Sequence, residues 1–313
     1  MTSRLLMPVR TAGTGPAPSS EAAGSTRPTP ILDLEHPRVV AFVARVLREA
    51  DERGAVTDRD RLRTAHGIIV PTVRPVYSVE DRRRVSRTLR LGRGSCSQRM
   101  AVLESVARSL GVPTRVRGLL VDGSFWYPRF PKLRPFVPEE VLLAWPEFLL
   151  DGAWVPVADL FADEGTRTDG SRATRTDAAE GTRTDAAEGT RTDAGEGART
   201  DAAGARTDPA GGSRTADVPR GGFTNSGPET LFEAVARTSV DWDAPAACAG
   251  SVASCDLSAH LRTDLGRFDS RDDLFARHGQ TLCRPARTLA EPVLGRWSAG
   301  AAPLPPAATP SAA

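Results

Sequence analysis

One short segment of the chain has the residue types of a nucleophile turn. Cys96 follows Gly94 and Ser95 and opens a stretch, 96–110, whose apolar residues recur at helical spacing. A thiol at this place lies at the positive end of a helix dipole, where its thiolate is favoured. The segment therefore predicts a cysteine nucleophile of the kind that acyl transfer uses.

Composition excludes several other classes of function. The 313-residue chain has a net charge of +2, which does not call for nucleic acid or an anionic membrane as a partner. Four unevenly spaced cysteines do not make a disulfide framework, and neither a Cys-x-x-Cys nor a paired-histidine motif offers a metal site. We expect neither a metal nor a cofactor. Because no apolar run is long enough for a signal peptide or a membrane span, we expect a soluble cytoplasmic protein.

Three parts of the chain are too poor in large apolar residues to fold: 1–30, 163–218 and 291–313. The middle part repeats an octapeptide, TRTDAAEG, at 174–181 and again at 182–189. No unit has a hydrophobic face to stack, so the repeat does not form a solenoid. It is expected to be a disordered insert in a surface loop, with an interaction tether as the alternative.

The remaining segments, 31–162 and 219–290, are expected to form one domain. Apolar spacing and capping residues predict helices over 36–53, 57–69, 78–91, 96–110, 230–237 and 270–279. Runs rich in β-branched residues predict strands over 114–121, 141–150 and 153–157, with Asp151-Gly152 as a hairpin turn. The order predicts an α+β fold in which the Cys96 helix packs on an antiparallel sheet.

Four motifs, in this order, resemble the transglutaminase-like superfamily. They are the Cys96 turn, Gly111-Val112-Pro113-Thr114-Arg115, Ala144-Trp145, and Asp151-Gly152-Ala153-Trp154-Val155-Pro156. The resemblance covers positions 36–160 and is sharpest from 92 to 157. It implies a papain-like α+β core and a Cys-His-Asp triad that catalyses acyl transfer or amide hydrolysis.

The resemblance also implies which positions would hold the triad. Cys96 matches the nucleophile, whereas the family's histidine position, before the Ala-Trp pair, is occupied by Leu143. The aspartate position falls on Ala158, with Asp159 one residue later. A shift of one residue turns a strand side chain to the other face, although a bulge would let Asp159 orient a base. Since leucine has no titratable group, the triad is incomplete.

Three histidines and one glutamate are the candidates for a base that would replace the family's histidine. His66 is expected to be a packing residue of the second helix, whereas His260 and His278 lie in a C-terminal segment that could fold over the cleft. Glu147 shares the strand face of Leu143 by the period of two. It is expected to be a hydrogen-bonding carboxylate, with a catalytic role as the alternative.

Two clusters surround the motif. Seven arginines lie close to Cys96 in the sequence: Arg82, Arg83, Arg84, Arg87, Arg90, Arg93 and Arg99. They are read either as a solvated helix face or as an electropositive rim that favours the thiolate or attracts an anionic substrate. The aromatic segment 125–130 is read either as a cleft-forming loop or as a plug over the core.

Two classes of function therefore stay open. The first is a degenerate transglutaminase-like protein that binds a peptide or protein partner through a cleft lined by Trp126, Tyr127, Trp145 and Glu147. The second is a cysteine-dependent acyltransferase or amide hydrolase with Cys96 as nucleophile, Asp159 as orienting residue and an unidentified base. The missing histidine favours the first class.

Overall fold

The computed structural model describes residues 22–162, 222–243 except 226 and 239, and 256–299. The expected insert over 163–218 and the expected disorder of 1–21 and 300–313 lie outside the described residues. The element bounds below refer to the described residues alone.

Seven α-helices and six strands form the described part of the chain. The helices are α1 (Pro37–Glu52), α2 (Asp58–Thr72), α3 (Val85–Leu91), α4 (Cys96–Ser109), α5 (Leu231–Ala234), α6 (Arg271–His278) and α7 (Arg284–Leu294). The strands are β1 (Arg74–Pro75), β2 (Arg93–Gly94), β3 (Thr114–Asp122), β4 (Glu140–Leu150), β5 (Ala153–Pro156) and β6 (Leu261–Phe268).

The main sheet is antiparallel and has the strand order β5-β4-β3-β6. The hairpin between β4 and β5 turns at Asp151 and Gly152, whose φ angles of 53° and 77° are both left-handed, as a tight two-residue hairpin requires. This hairpin and the α+β arrangement of helices on an antiparallel sheet confirm the sequence prediction.

Helix α4 lies in the interior, against α2 on one side and against β3 and β4 on the other. All its residues from Gln98 to Arg108 are buried. A helix buried on every side does not need a polar face, so its charged residues must find partners inside the protein. The burial fixes the position of Cys96, which is the first residue of this helix.

The third predicted helix is shorter than expected. The sequence predicted helix from 78 to 91, but α3 begins at Val85. The polar groups of residues 78–80 are used by distant partners instead: the Gln98 amide donates to the Ser78 hydroxyl and to the Glu80 carbonyl, and Glu291 accepts from the Val79 N–H. These tertiary hydrogen bonds replace those of a helix and leave 78–84 as an irregular segment.

The structured region also extends beyond the expected boundaries at both ends. Ser25 exchanges two backbone hydrogen bonds with Thr114, both 3.0 Å, so ordered chain begins before residue 31. Helix α7 runs through position 290 to Leu294, where a disordered tail was expected to begin. Strand β6 was also not predicted, because its residues are almost all exposed or half-buried without alternation, and it pairs with β3 through two register shifts.

Candidate functional site

The glycine-flanked turn that the sequence predicts before Cys96 is present. Ser95 is the N-cap of α4: its hydroxyl accepts from the Gln98 N–H, and the Gln98 side chain accepts from the Ser95 N–H at 3.0 Å. This reciprocal capping box fixes the first turn of the helix. Cys96 follows the cap as the first helical residue and is half-buried.

A cavity of about 560 Å³ opens at this end of α4, and we call it the Cys96 cavity. Its volume is in the range of small-molecule sites. Most of its lining is aliphatic or aromatic. The irregular segment 76–81, the aromatic segment 125–130, the start of β4 and helix α7 supply most of that lining, and Leu143 lines the same cavity as Cys96.

Several polar side chains interrupt this apolar lining, among them those of Tyr77, Asp81 and Arg129. Burial raises the pKa of the Tyr77 phenol, with the neighbouring Arg129 opposing the shift. Burial also raises the pKa of the Asp81 carboxyl, to about 6, although that carboxylate accepts a hydrogen bond from the Thr281 N–H. The described cavity lining therefore contains a carboxyl and a phenol with raised pKa values, together with the Cys96 thiol.

The structure brings two of the six predicted site residues together. Cys96 and Trp126 both line the cavity. Tyr127, the neighbour of Trp126, points elsewhere and lies under the Arg134 guanidinium, 5.6 Å from the ring centre. Trp145 is buried and packs edge to face against Trp242, with 5.4 Å between ring centres.

The two predicted carboxylates are not part of the cavity lining. Glu147 is buried between two arginines, at 2.5 Å from Arg115 and 3.1 Å from Arg267. Asp159 is exposed, in the 3-10 helix Val157–Phe161 that follows β5, and its carbonyl accepts from Arg59. Neither carboxylate therefore belongs to the cavity that Cys96 lines.

The four histidines of the chain all fall within the described residues, and the cavity lining contains none of them. His66 packs in the core as expected: its ring stacks on Phe232 at 4.5 Å, and burial lowers its pKa. His260 packs edge to face against Phe125, which lines the cavity. His278 packs against Phe268. His36 caps α1.

A buried ion pair that the sequence reasoning missed supports the cysteine turn. Glu104 of α4 and Arg271 of α6 are both 0 % exposed and 2.5 Å apart. Arg271 also donates to the Ser97 hydroxyl at 3.0 Å, next to Cys96. Burial raises the pKa of Glu104 against the influence of Arg271. The sequence signal for this pair was Glu104 itself, a charged residue among the apolar residues of the predicted helix.

Helix α7 covers one side of the cavity, and its Glu291 carboxylate bonds to three groups of the segment 78–83. Glu291 accepts from the Ser78 hydroxyl, from the Val79 N–H and from Arg83, whose side chain is buried. The Arg83 guanidinium also donates to the Gln98 amide oxygen, which belongs to the capping box. These bonds connect α7 directly to the turn that carries Cys96.

The fold and the site define a protein in which a cysteine at a helix N-terminus faces an antiparallel sheet. The family model of the transglutaminase-like superfamily matches residues 53–158, which contain this turn and the first three strands of the sheet. This segment is a transglutaminase-like domain, as the motifs predicted. No curated protein and no solved structure gave a significant match to the chain.

The described residues were also compared with what a membrane span and a metal site require. Among these residues, no helix is both long and apolar enough to cross a membrane. The same part of the chain contains no group of three or more histidine, cysteine or acidic residues arranged to hold a metal ion.

Proposed function

We propose that the chain is a non-catalytic transglutaminase-like protein that binds a peptide or protein partner through the Cys96 cavity. One observation carries this proposal. Leu143, at the position where the family has its histidine, lines the same cavity as Cys96, and the described lining contains no histidine. The nucleophile turn has been kept while the place of the base is apolar.

The rim of the cavity supports a role in binding. Three of its lining residues expose large apolar side chains to solvent: Leu133, Phe136 and Leu289 are 36 %, 63 % and 80 % exposed. Val293, on α7, is 65 % exposed as well. Exposed apolar side chains around an apolar cavity are typical of a site that a partner covers. A peptide would place its apolar side chains inside and cover this rim.

Catalysis by the family's mechanism lacks its second component. Acyl transfer by a thiol requires a group that accepts the thiol proton and later activates water or an amine. Leucine does neither, and Asp159 is outside the cavity lining. The cavity is therefore better suited to holding apolar groups than to turning over an acyl-enzyme.

One observation favours a second candidate function, acyl transfer by Cys96 with a non-standard base. Asp81 lines the same cavity, and its pKa of about 6 is in the range of a general base near neutral pH. Under this alternative, Asp81→Asn abolishes turnover of an acyl donor. Under the binding proposal, the variant has no turnover to lose.

Peptide binding to the full chain tests the proposal. A short fluorescein-labelled peptide with a central Leu-Leu-Phe is titrated with protein, and fluorescence polarisation reports the complex. Leu289→Asp places a charge on the exposed cavity rim, whereas Val56→Asp changes an equally exposed residue outside the cavity lining. We expect Leu289→Asp alone to weaken binding, by about tenfold or more. Equal affinities for both variants and the parent would contradict the proposal.

A further inference from the structure

A second pocket lies beside the Cys96 cavity. Its volume is about 340 Å³, and it is lined by Glu80, Arg82, Arg83, Arg84, Arg87 and Glu291. We call it the arginine pocket. Four arginines and two glutamates give it a net charge of +2. These arginines belong to the cluster that the sequence left open between a solvated helix face and an electropositive rim.

The arginines of this pocket are not equivalent. Arg83 is buried, and it is bonded to Glu291 and to Gln98. The guanidinium groups of Arg82, Arg84 and Arg87 are exposed and form neither a hydrogen bond nor an ion pair with another described residue. Within the pocket, Glu291 pairs with Arg83, whereas the Glu80 carboxylate pairs with Arg287 outside the lining. The guanidinium groups of Arg82, Arg84 and Arg87 remain for a ligand.

The arginine pocket and the Cys96 cavity are back to back along two segments. On the irregular segment, Val79 and Asp81 line the cavity while Glu80, between them, lines the pocket. On α7, Ala290 lines the cavity while Glu291 lines the pocket. Because the two linings are one residue apart at both places, a single wall of the protein separates the pocket from the cavity.

We infer that the partner carries an acidic segment beside its apolar anchor, so that apolar side chains enter the Cys96 cavity and neighbouring carboxylates pair with Arg82, Arg84 and Arg87. This inference rests on the proposed binding function and adds the chemistry of the partner. Arginine presents a planar fork that matches a carboxylate in two hydrogen bonds. Charge complementarity at such a rim selects the partner and accelerates association.

The strength of the electrostatic contribution is limited by solvent. Exposed ion pairs are individually weak and are screened by salt. Three of them together give about a tenfold preference for an acidic peptide at low ionic strength. The preference is expected to disappear at high salt, while the apolar contribution stays.

Two peptides with the same Leu-Leu-Phe centre, one flanked by glutamates and one by lysines, test the inference by fluorescence polarisation. The acidic peptide is expected to bind the full chain about tenfold more tightly at low salt. The double charge reversal Arg84→Glu/Arg87→Glu is expected to remove this preference. Arg38→Glu/Arg48→Glu is the matched control, because it makes the same charge change on exposed residues of α1 and should keep the preference.

The outcomes separate the two proposals. If both peptides bind equally well to the parent protein, the acidic partner is ruled out and apolar binding stands. If neither peptide binds, the proposed function itself fails. If the preference persists in Arg84→Glu/Arg87→Glu, or is lost equally in the α1 control, the arginine pocket is not its source. Weakening of acidic-peptide binding by high salt, to the affinity of the lysine-flanked peptide, supports the inference.

Discussion

Asp81 places an ionisable carboxyl on the wall of an apolar cavity, at a cost in stability that can be measured. Burial raises its pKa from 3.8 to about 6. Glu80 raises this pKa further, whereas the Thr281 N–H, Arg271 and Arg287 lower it. The folded protein thus binds this proton more tightly than the unfolded chain does. The contribution of Asp81 to the free energy of unfolding is therefore most favourable at low pH, and it falls as the pH rises from about 4 to 6.

The size of the effect follows from the shift. A change from 3.8 to about 6 corresponds to about 3 kcal/mol at pH values above both. The side chain is only half-buried, so solvent reduces this figure. Asp81→Asn removes the charge and keeps an oxygen that can accept from the Thr281 N–H. We expect the variant to be more stable than the parent by about 1–3 kcal/mol at pH 7.5 and nearly equal to it at pH 4.

Urea unfolding at the two pH values measures this difference. Glu35→Gln serves as the control, because it neutralises an exposed carboxyl that makes no side-chain hydrogen bond or ion pair within the described residues. We expect the control to change stability by less than about 0.5 kcal/mol at either pH. The reasoning is refuted if Asp81→Asn is no more stable than the parent at pH 7.5, or if its gain is the same at both pH values.

Three further substitutions test the contacts around the cysteine turn. Arg271→Met should lower the free energy of unfolding in urea by about 3–5 kcal/mol, because it leaves the Glu104 carboxylate buried and unpaired. Adding Glu104→Leu should restore most of the loss. A double variant as unstable as the single one would count against this. Glu291→Ala should lower the free energy of unfolding by about 1–3 kcal/mol, because it leaves Arg83 without its carboxylate. The same variant should accelerate hydrogen exchange in residues 284–299. Unchanged exchange there would contradict the role of Glu291 in holding α7. Ser95→Ala should cost about 1 kcal/mol through loss of the N-cap, measured in the same way; no change would mean that the capping box adds nothing.

The features that the sequence predicted well depend on neighbouring residues. The Asp151-Gly152 hairpin and the Ser95 cap are formed by residues at most three positions apart, so their chemistry can be read locally. The family resemblance depended on such short motifs as well, and it was confirmed over residues 53–158.

The features that the sequence did not predict depend on distant partners. Glu291 contacts Ser78 across 213 positions, and that contact helps to keep residues 78–80 out of a helix. Nothing local to either residue indicates the pairing. Strand β6 likewise acquires its structure from β3, because its own residues show little of the alternation that identifies a strand.

Trp145 and Glu147 were predicted to line the cleft but lie outside the cavity lining, for a geometric reason. The period of two correctly groups Leu143 with Trp145 and Glu147 on one face, but it does not say where along the strand the cavity ends. A strand rises about 3.4 Å per residue, so Glu147 lies about 14 Å from Leu143 along β4. The cavity borders the start of β4, at positions 141–143, and the later residues pack in the core or pair with arginines.

The claim that the Cys96 cavity binds and does not catalyse can be tested with an activated ester. The full chain and its Cys96→Ala variant are mixed with excess p-nitrophenyl acetate, and release of nitrophenol is followed over many equivalents. The account predicts that the parent releases at most one more rapid equivalent than Cys96→Ala, because the Cys96 thiol can be acylated once, and that both proteins then react at the same slow rate. Sustained turnover that Cys96→Ala lacks would contradict it, and would make Cys96 a catalytic nucleophile.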